Sequence, residues 1–121
     1  MKSEKVGILE RTKLFALRII RLYSSLPKTT EAQVIGKQLL RSGTSVGGQV
    51  REGNRSRSDA EMISKTEGAL QELEETMYWL ELLADADILK AERLADLLNE
   101  ADELTAILVT SVKTLKSRRN K

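Results

Sequence analysis

Apolar side chains recur along this chain at steps of three and four, the spacing that lines one face of an α-helix. The first such stretch covers about residues 6–25, with Leu9, Ala16, Ile19, Ile20 and Tyr23 in step and Ile8, Phe15 and Leu22 repeating every seven. Leu14 and Leu17 fall on its other side, so the apolar surface is wider than one bundle seam needs. Leu26-Pro27 ends the helix, because the residue before proline is pushed out of the α region. The second stretch covers about residues 30–53, with Thr30 as N-cap and Ala32, Ile35, Leu39, Ser42, Val46 and Val50 turned inward. The third covers about 58–84, opened by a Ser58–Glu61 capping box, with Ile63, Thr66, Leu70, Leu73, Met77, Leu80 and Ala84 as a heptad seam. Asp85-Ala86-Asp87 breaks it. The fourth covers about 90–116 along Leu94, Leu97, Ala101, Leu104, Leu108, Ser111 and Leu115, and a basic tail, 117–121, frays beyond it. Four helices joined by short connections predict a single all-α domain, an antiparallel up-down-up-down four-helix bundle.

The second helix is locally unfavourable. It holds five of the chain's seven glycines, Gly36, Gly43, Gly47, Gly48 and Gly53, and each costs about 1 kcal/mol relative to alanine inside a helix. Tertiary packing must hold it. Gly36, Gly43 and Gly47 share one line beside the apolar stripe, where small residues let another helix approach closely. That helix belongs either to the same chain or to a second copy.

Composition narrows the chemistry. The 121 residues include no Cys and no His, which excludes disulfides, thiolate zinc sites and histidine acid/base catalysis. A di-iron bundle site needs carboxylates from all four helices and usually Glu-x-x-His pairs. Glu72, Glu74 and Glu75 are close in sequence but point to different faces. Gly47-Gly48 is not followed by the Lys-Ser/Thr of a phosphate loop. No cofactor, metal or catalytic constellation is expected, and the protein reads as a non-enzyme. No apolar run is long enough to span a bilayer, and the first residues lack the apolar core of a signal peptide. The expected location is the cytoplasm.

Charge is segregated although the net is only +2. Residues 1–27 and 28–57 each carry six bases and two acids, whereas residues 58–89 carry one base, Lys65, and nine acids. At about 100° per residue, Lys37, Arg41, Arg51 and, if the helix reaches it, Arg55 share the outer face of the second helix. Arg11, Arg18 and Arg21 share a face of the first. These stripes read either as a polyanion-binding surface for RNA or DNA, or as solvated faces that pair with acids of the third helix. Trp79, beside Leu82, lies well off the third helix's seam. As an exposed apolar group it marks, with Leu14 and Leu17, an oligomer interface. The alternative to nucleic-acid binding is a protein adaptor that uses the acidic third helix and the Trp79 patch.

Two segments carry a family resemblance. QLLRSGTSVGGQVREGNRSRS, residues 38–58, and ALQELEETMYWLELL, residues 69–83, resemble the bacterial 23S rRNA intervening-sequence proteins. The matching residues are Gln38, Leu39, Arg41, Ser42, Ser45, Val46 and Glu52, then Glu75, Thr76, Tyr78, Trp79 and Leu80. Gln49 departs from the usual Asn, and Gly48 and Val50 stand where Ala or Ile is frequent. The resemblance implies an antiparallel four-helix bundle assembled as a homo-oligomeric ring, a pentamer. It also implies kinship with the accessory variability determinant of diversity-generating retroelements, whose basic barrel engages nucleic acid and a reverse transcriptase. Self, RNA or DNA, and a reverse transcriptase or another protein are therefore the expected partners, with no membrane among them.

Overall fold

The computed structural model of the chain describes residues 7–119. Four α-helices account for nearly all of them: α1 (Ile8–Ser24), α2 (Thr30–Asn54), α3 (Asp59–Asp85) and α4 (Ala91–Arg119). No strand occurs among the described residues. None of these helices is long and apolar enough to cross a membrane.

Local chemistry sets the ends. Thr29, one residue before the predicted cap, accepts a hydrogen bond from the Ala32 N–H and starts α2. Ser58 Oγ accepts from the Glu61 N–H at 3.1 Å, and Glu61 reaches back to the N–H of Arg57 rather than that of Ser58. The α3–α4 corner turns on Asp87, which has a left-handed backbone (φ 59°). There the N–H groups of Ile88 and Leu89 both donate to the Leu83 carbonyl. The predicted start of the first helix at residue 6 lies outside the described residues, and Gly7 is the N-cap. α4 continues past the expected end at 116, because Arg118 clasps Asp59 of α3. The last two residues of the tail are outside the described range.

Each helix runs antiparallel to the one before it. Thr12, Ile19 and Tyr23 of α1 lie against Gly47, Gly43 and Gly36 of α2. Ser42 of α2 meets Thr76 of α3, and Asp59 of α3 meets Arg118 of α4. α4 closes the bundle on α1 through Arg11 and Glu100, the lightest of the four interfaces, whereas α2 on α3 is the most extensive.

The main core contains Phe15, Ile19, Leu39, Val46, Leu73, Leu80, Leu83, Leu94 and Leu104, all essentially without solvent contact. Ile63, Val112 and Leu115 form a small second cluster where α3 and α4 project together at one end. The seam of α3 departs from the expected one. Ala69, Thr76 and Leu83 are fully buried, while Leu70, Met77 and Ala84 are only half-buried. α3 faces both α2 and α4, so its buried line lies between the two contacts and is turned from the heptad line. In α4, Val112 is buried in place of Ser111. Ile20, expected inward, is exposed.

Candidate nucleic-acid interface

The glycine line of α2 is an intramolecular crossing. A Cβ at Gly43 would meet Ile19 Cγ1 at 2.8 Å, and one at Gly36 would meet Tyr23 Cδ1 at 2.9 Å. Gly47 lies against Thr12 at ordinary contact distance. The helix is thereby held against α1 on one side, while Ser42 and its neighbours hold it against α3 on another.

The side of α2 turned away from its apolar stripe carries the predicted basic stripe, and the structure divides it. Arg41 is bound to α3: its guanidinium donates to both Glu72 and Glu75. These two carboxylates, three residues apart, share the side of α3 that faces α2, which corrects the expectation that they point apart. Hydrogen bonding to Glu75 raises the Arg41 pKa further above its already high ordinary value. Lys37, Arg51 and Arg55 are exposed and make no ion pair among the described residues. The expectation that third-helix acids neutralise the whole stripe therefore holds for Arg41 alone. The other cross-helix pair on this side runs the opposite way, from Lys65 of α3 to Glu52 of α2 at 2.7 Å; the Glu52 carboxylate raises the Lys65 pKa.

The α1 arginines also divide. Arg11 is committed to α4, not α3. It donates to Glu100 at 2.6 and 3.0 Å and to Glu103 at 2.8 Å, and these bonds raise its pKa. Arg18 and Arg21 line a shallow depression of about 270 Å³ with Arg93 and Asp96 of α4. They form no ion pair among the described residues.

A second groove lies between α1 and α2. It has a volume of about 300 Å³ and is bounded by Lys13 on α1 and Arg51 on α2, with Thr12, Thr44, Gly47 and Gly48 between them. Lys13 was not among the residues singled out from sequence. The available signal was Gly48, which sits about 100° around the helix from the packing line and has no crossing to serve.

The expected exposure of Trp79 is corrected. Trp79 is half-buried and packs against the main core. It lies on the same side of α3 as Glu72, Glu75 and Thr76, all of which reach α2. Its Nε1 is buried and finds no acceptor among the described residues. Leu82 and Leu17 are half-buried as well. Leu14, Ile20, Val34 and Tyr78 are the large apolar side chains left exposed on α1, α2 and α3, joined on α4 by Ile107 and Val109. Among the described residues no group of three or more Asp and Glu side chains is arranged to hold a metal ion.

A family described as 23S rRNA-intervening sequence protein matches residues 4–110. A crystal structure at 1.70 Å, of a protein with unknown function from the S23 ribosomal protein family of Bacteroides thetaiotaomicron, is 36% identical. It superposes with a TM-score of 0.84 over 88% of this chain and 99% of that one. None of the curated proteins matches.

Proposed function

The chain belongs to the 23S rRNA-intervening sequence protein family, and on that premise we propose a non-enzymatic, cytoplasmic accessory protein that binds RNA through the basic face of α1 and α2. The observation that carries this reading is the unpaired remainder of the α2 stripe. Lys37, Arg51 and Arg55 stay exposed although α3 next door is the most acidic part of the chain. From Lys37 to Arg55, the C-cap of α2, is 18 residue steps, roughly 27 Å at the rise of an α-helix, a length suited to a run of backbone phosphates. Arg21 and Lys13 extend the same sign of charge onto α1.

The basic face has no aromatic platform, since the exposed Tyr78 lies on α3. Binding is therefore phosphate-directed, tolerant of base sequence and steeply salt-dependent. One chain offers few contacts. A closed homo-oligomer, a pentamer by family resemblance, multiplies them. The exposed Leu14, Ile20, Val34, Ile107 and Val109 support such an assembly. A protein-adaptor role through α3 has less support, because Trp79 is packed against the core and Glu72 and Glu75 are engaged with Arg41.

The test is fluorescence anisotropy with a structured RNA, read beside light scattering. The expected result is binding at ~50 mM salt that falls steeply by ~200 mM. Lys37→Glu with Arg55→Glu should lose binding while helical content and oligomer mass are kept. No binding at the lower salt would reject the RNA reading. A mass near one chain's 13.5 kDa would reject the ring.

A further inference from the structure

Six of the chain's glycines fall within the described helices, and five of them have a neighbour that a Cβ would touch. Gly36, Gly43 and Gly47 adjoin α1, Gly53 adjoins Lys65, and Gly68 adjoins Gln49. Gly48 has no such neighbour: a Cβ there would have nothing within 4 Å. It sits in the interior of α2 with an ordinary helical backbone, so the fold requires glycine there for neither space nor conformation. Alanine would form the helix better. What glycine provides at this position is access to the helix surface from outside.

The access opens into the α1–α2 groove. Its walls are Lys13 and Arg51, and its lining includes no carboxylate. The two hydroxyls beside Gly47 have already spent their protons. Thr12 Oγ1 donates to the Ile8 carbonyl at 2.9 Å, and Thr44 Oγ1 donates to the Leu40 carbonyl at 2.8 Å. The donors left to a ligand are the Lys13 ammonium and the Arg51 guanidinium. That pair selects an anion, and a guanidinium fork beside an ammonium fits phosphate oxygens. Lys37 and Arg55 continue the positive face along α2 on either side, which suits a chain of phosphates better than a single carboxylate.

We propose that this groove seats a backbone phosphate of the bound nucleic acid, held by Lys13 and Arg51 against the bare surface of Gly48. The inference rests on the RNA reading above and assigns it a specific contact.

Gly48→Leu tests it by filling the groove while leaving both cations in place. With a short RNA hairpin at ~50 mM salt, the affinity should fall roughly tenfold or more, with helical content and oligomer mass unchanged. Lys13→Gln with Arg51→Gln, which keeps the groove's shape, should weaken binding similarly and make the salt dependence shallower. Gly48→Ala should fold at least as well as the parent protein. If the parent binds the hairpin, Lys37→Glu with Arg55→Glu abolishes binding and Gly48→Leu leaves it within twofold, the groove assignment is overturned while the basic-face reading stands. If the parent does not bind, both fail. A changed oligomer mass in Gly48→Leu would make the groove a seam for a second copy and would also overturn the proposal.

Discussion

The side chain of Ile19 occupies the space that a Cβ at Gly43 would need, with Cγ1 at 2.8 Å, Cγ2 at 2.9 Å and even its own Cβ at 3.2 Å from that position. A β-branched side chain is stiff at χ1, and this one is fully buried, so it has little room to yield. Gly43→Ala should destabilise the bundle by about 1–3 kcal/mol despite the better helix propensity of alanine. Gly48→Ala, in open space on the same helix, should stabilise it by about 0.5–1 kcal/mol. Urea melts of the two variants check this directly. A stabilised Gly43→Ala would mean that α1 and α2 are farther apart than the geometry shows.

Ser42 and Thr76 form a buried hydroxyl pair across α2 and α3, 2.9 Å apart. Thr76 also lies 2.7 Å from the Glu72 carbonyl, and Ser42 lies 3.3 Å from that of Leu39. Each hydroxyl has one proton, so one donates across the gap and the other into its own helix. Thr76→Val or Ser42→Ala alone should cost about 1 kcal/mol, by leaving the remaining hydroxyl with one partner fewer. The double variant should cost less than the two singles together. A double-mutant cycle by denaturation gives the coupling, and strict additivity would count against a direct bond.

The α1–α4 seam depends on Arg11. Its two-bond contact with Glu100 is partly buried, with side-chain exposures of 24% and 20%. Arg11→Ala should cost about 1–2 kcal/mol, part of it from the Glu100 carboxylate left without its partner. The effect should be local, because this is the lightest interface. Amide exchange should accelerate in α1 before it does in α2 or α3. Uniform acceleration across the bundle would indicate a single cooperative unit instead.

Asp59 and Arg118 make the far end of the bundle sensitive to acid. Two hydrogen bonds from the guanidinium, at 2.8 and 3.0 Å, hold the Asp59 carboxyl below its ordinary value. The unfolded chain therefore takes up the proton more readily than the folded one. The contribution is fully present above about pH 4, the ordinary carboxylate value, and is lost as pH falls through the lower folded value. Asp59→Asn should lower the melting temperature near neutrality, where the ion pair contributes, leave it nearly unchanged in strong acid, and so flatten the acid limb of the melting temperature against pH. An unaltered acid limb would place the sensitivity elsewhere.

Much of the fold is legible because every helix carries a three-four repeat and a clear stop. Pro27 falls between helices, and the polar run at 54–58 and Asp85-Ala86-Asp87 each begin on the last residue of a helix and continue into the connection after it. The phase of α3 was harder to read. Thr76 and Ala69 look dispensable in a hydrophobic pattern, but small and hydroxyl side chains fit where two helices approach closely. The stripe on α2 is visible as periodicity alone, yet which bases are neutralised depends on which helix lies alongside. Arg11 finds carboxylates on α4 and Arg41 finds them on α3, and neither pairing is encoded in local spacing. Trp79 shows the converse. Distance from a helix seam indicates exposure only when the neighbouring helix is narrow, and here the indole packs against the core beside α2.

Packing each helix mainly against its sequence neighbour also bears on how the chain folds. Ser42 and Thr76 are 34 residues apart, whereas Arg11 and Glu100 are 89 apart. Short loops close at lower entropic cost, and chains dominated by such contacts fold quickly. During synthesis from the N-terminus, the glycine-lined α1–α2 hairpin can dock while α3 is still being added. The single distant closure, α4 onto α1, comes last and adds the smallest interface. Destabilising that seam should therefore hasten unfolding while leaving the folding rate nearly unchanged.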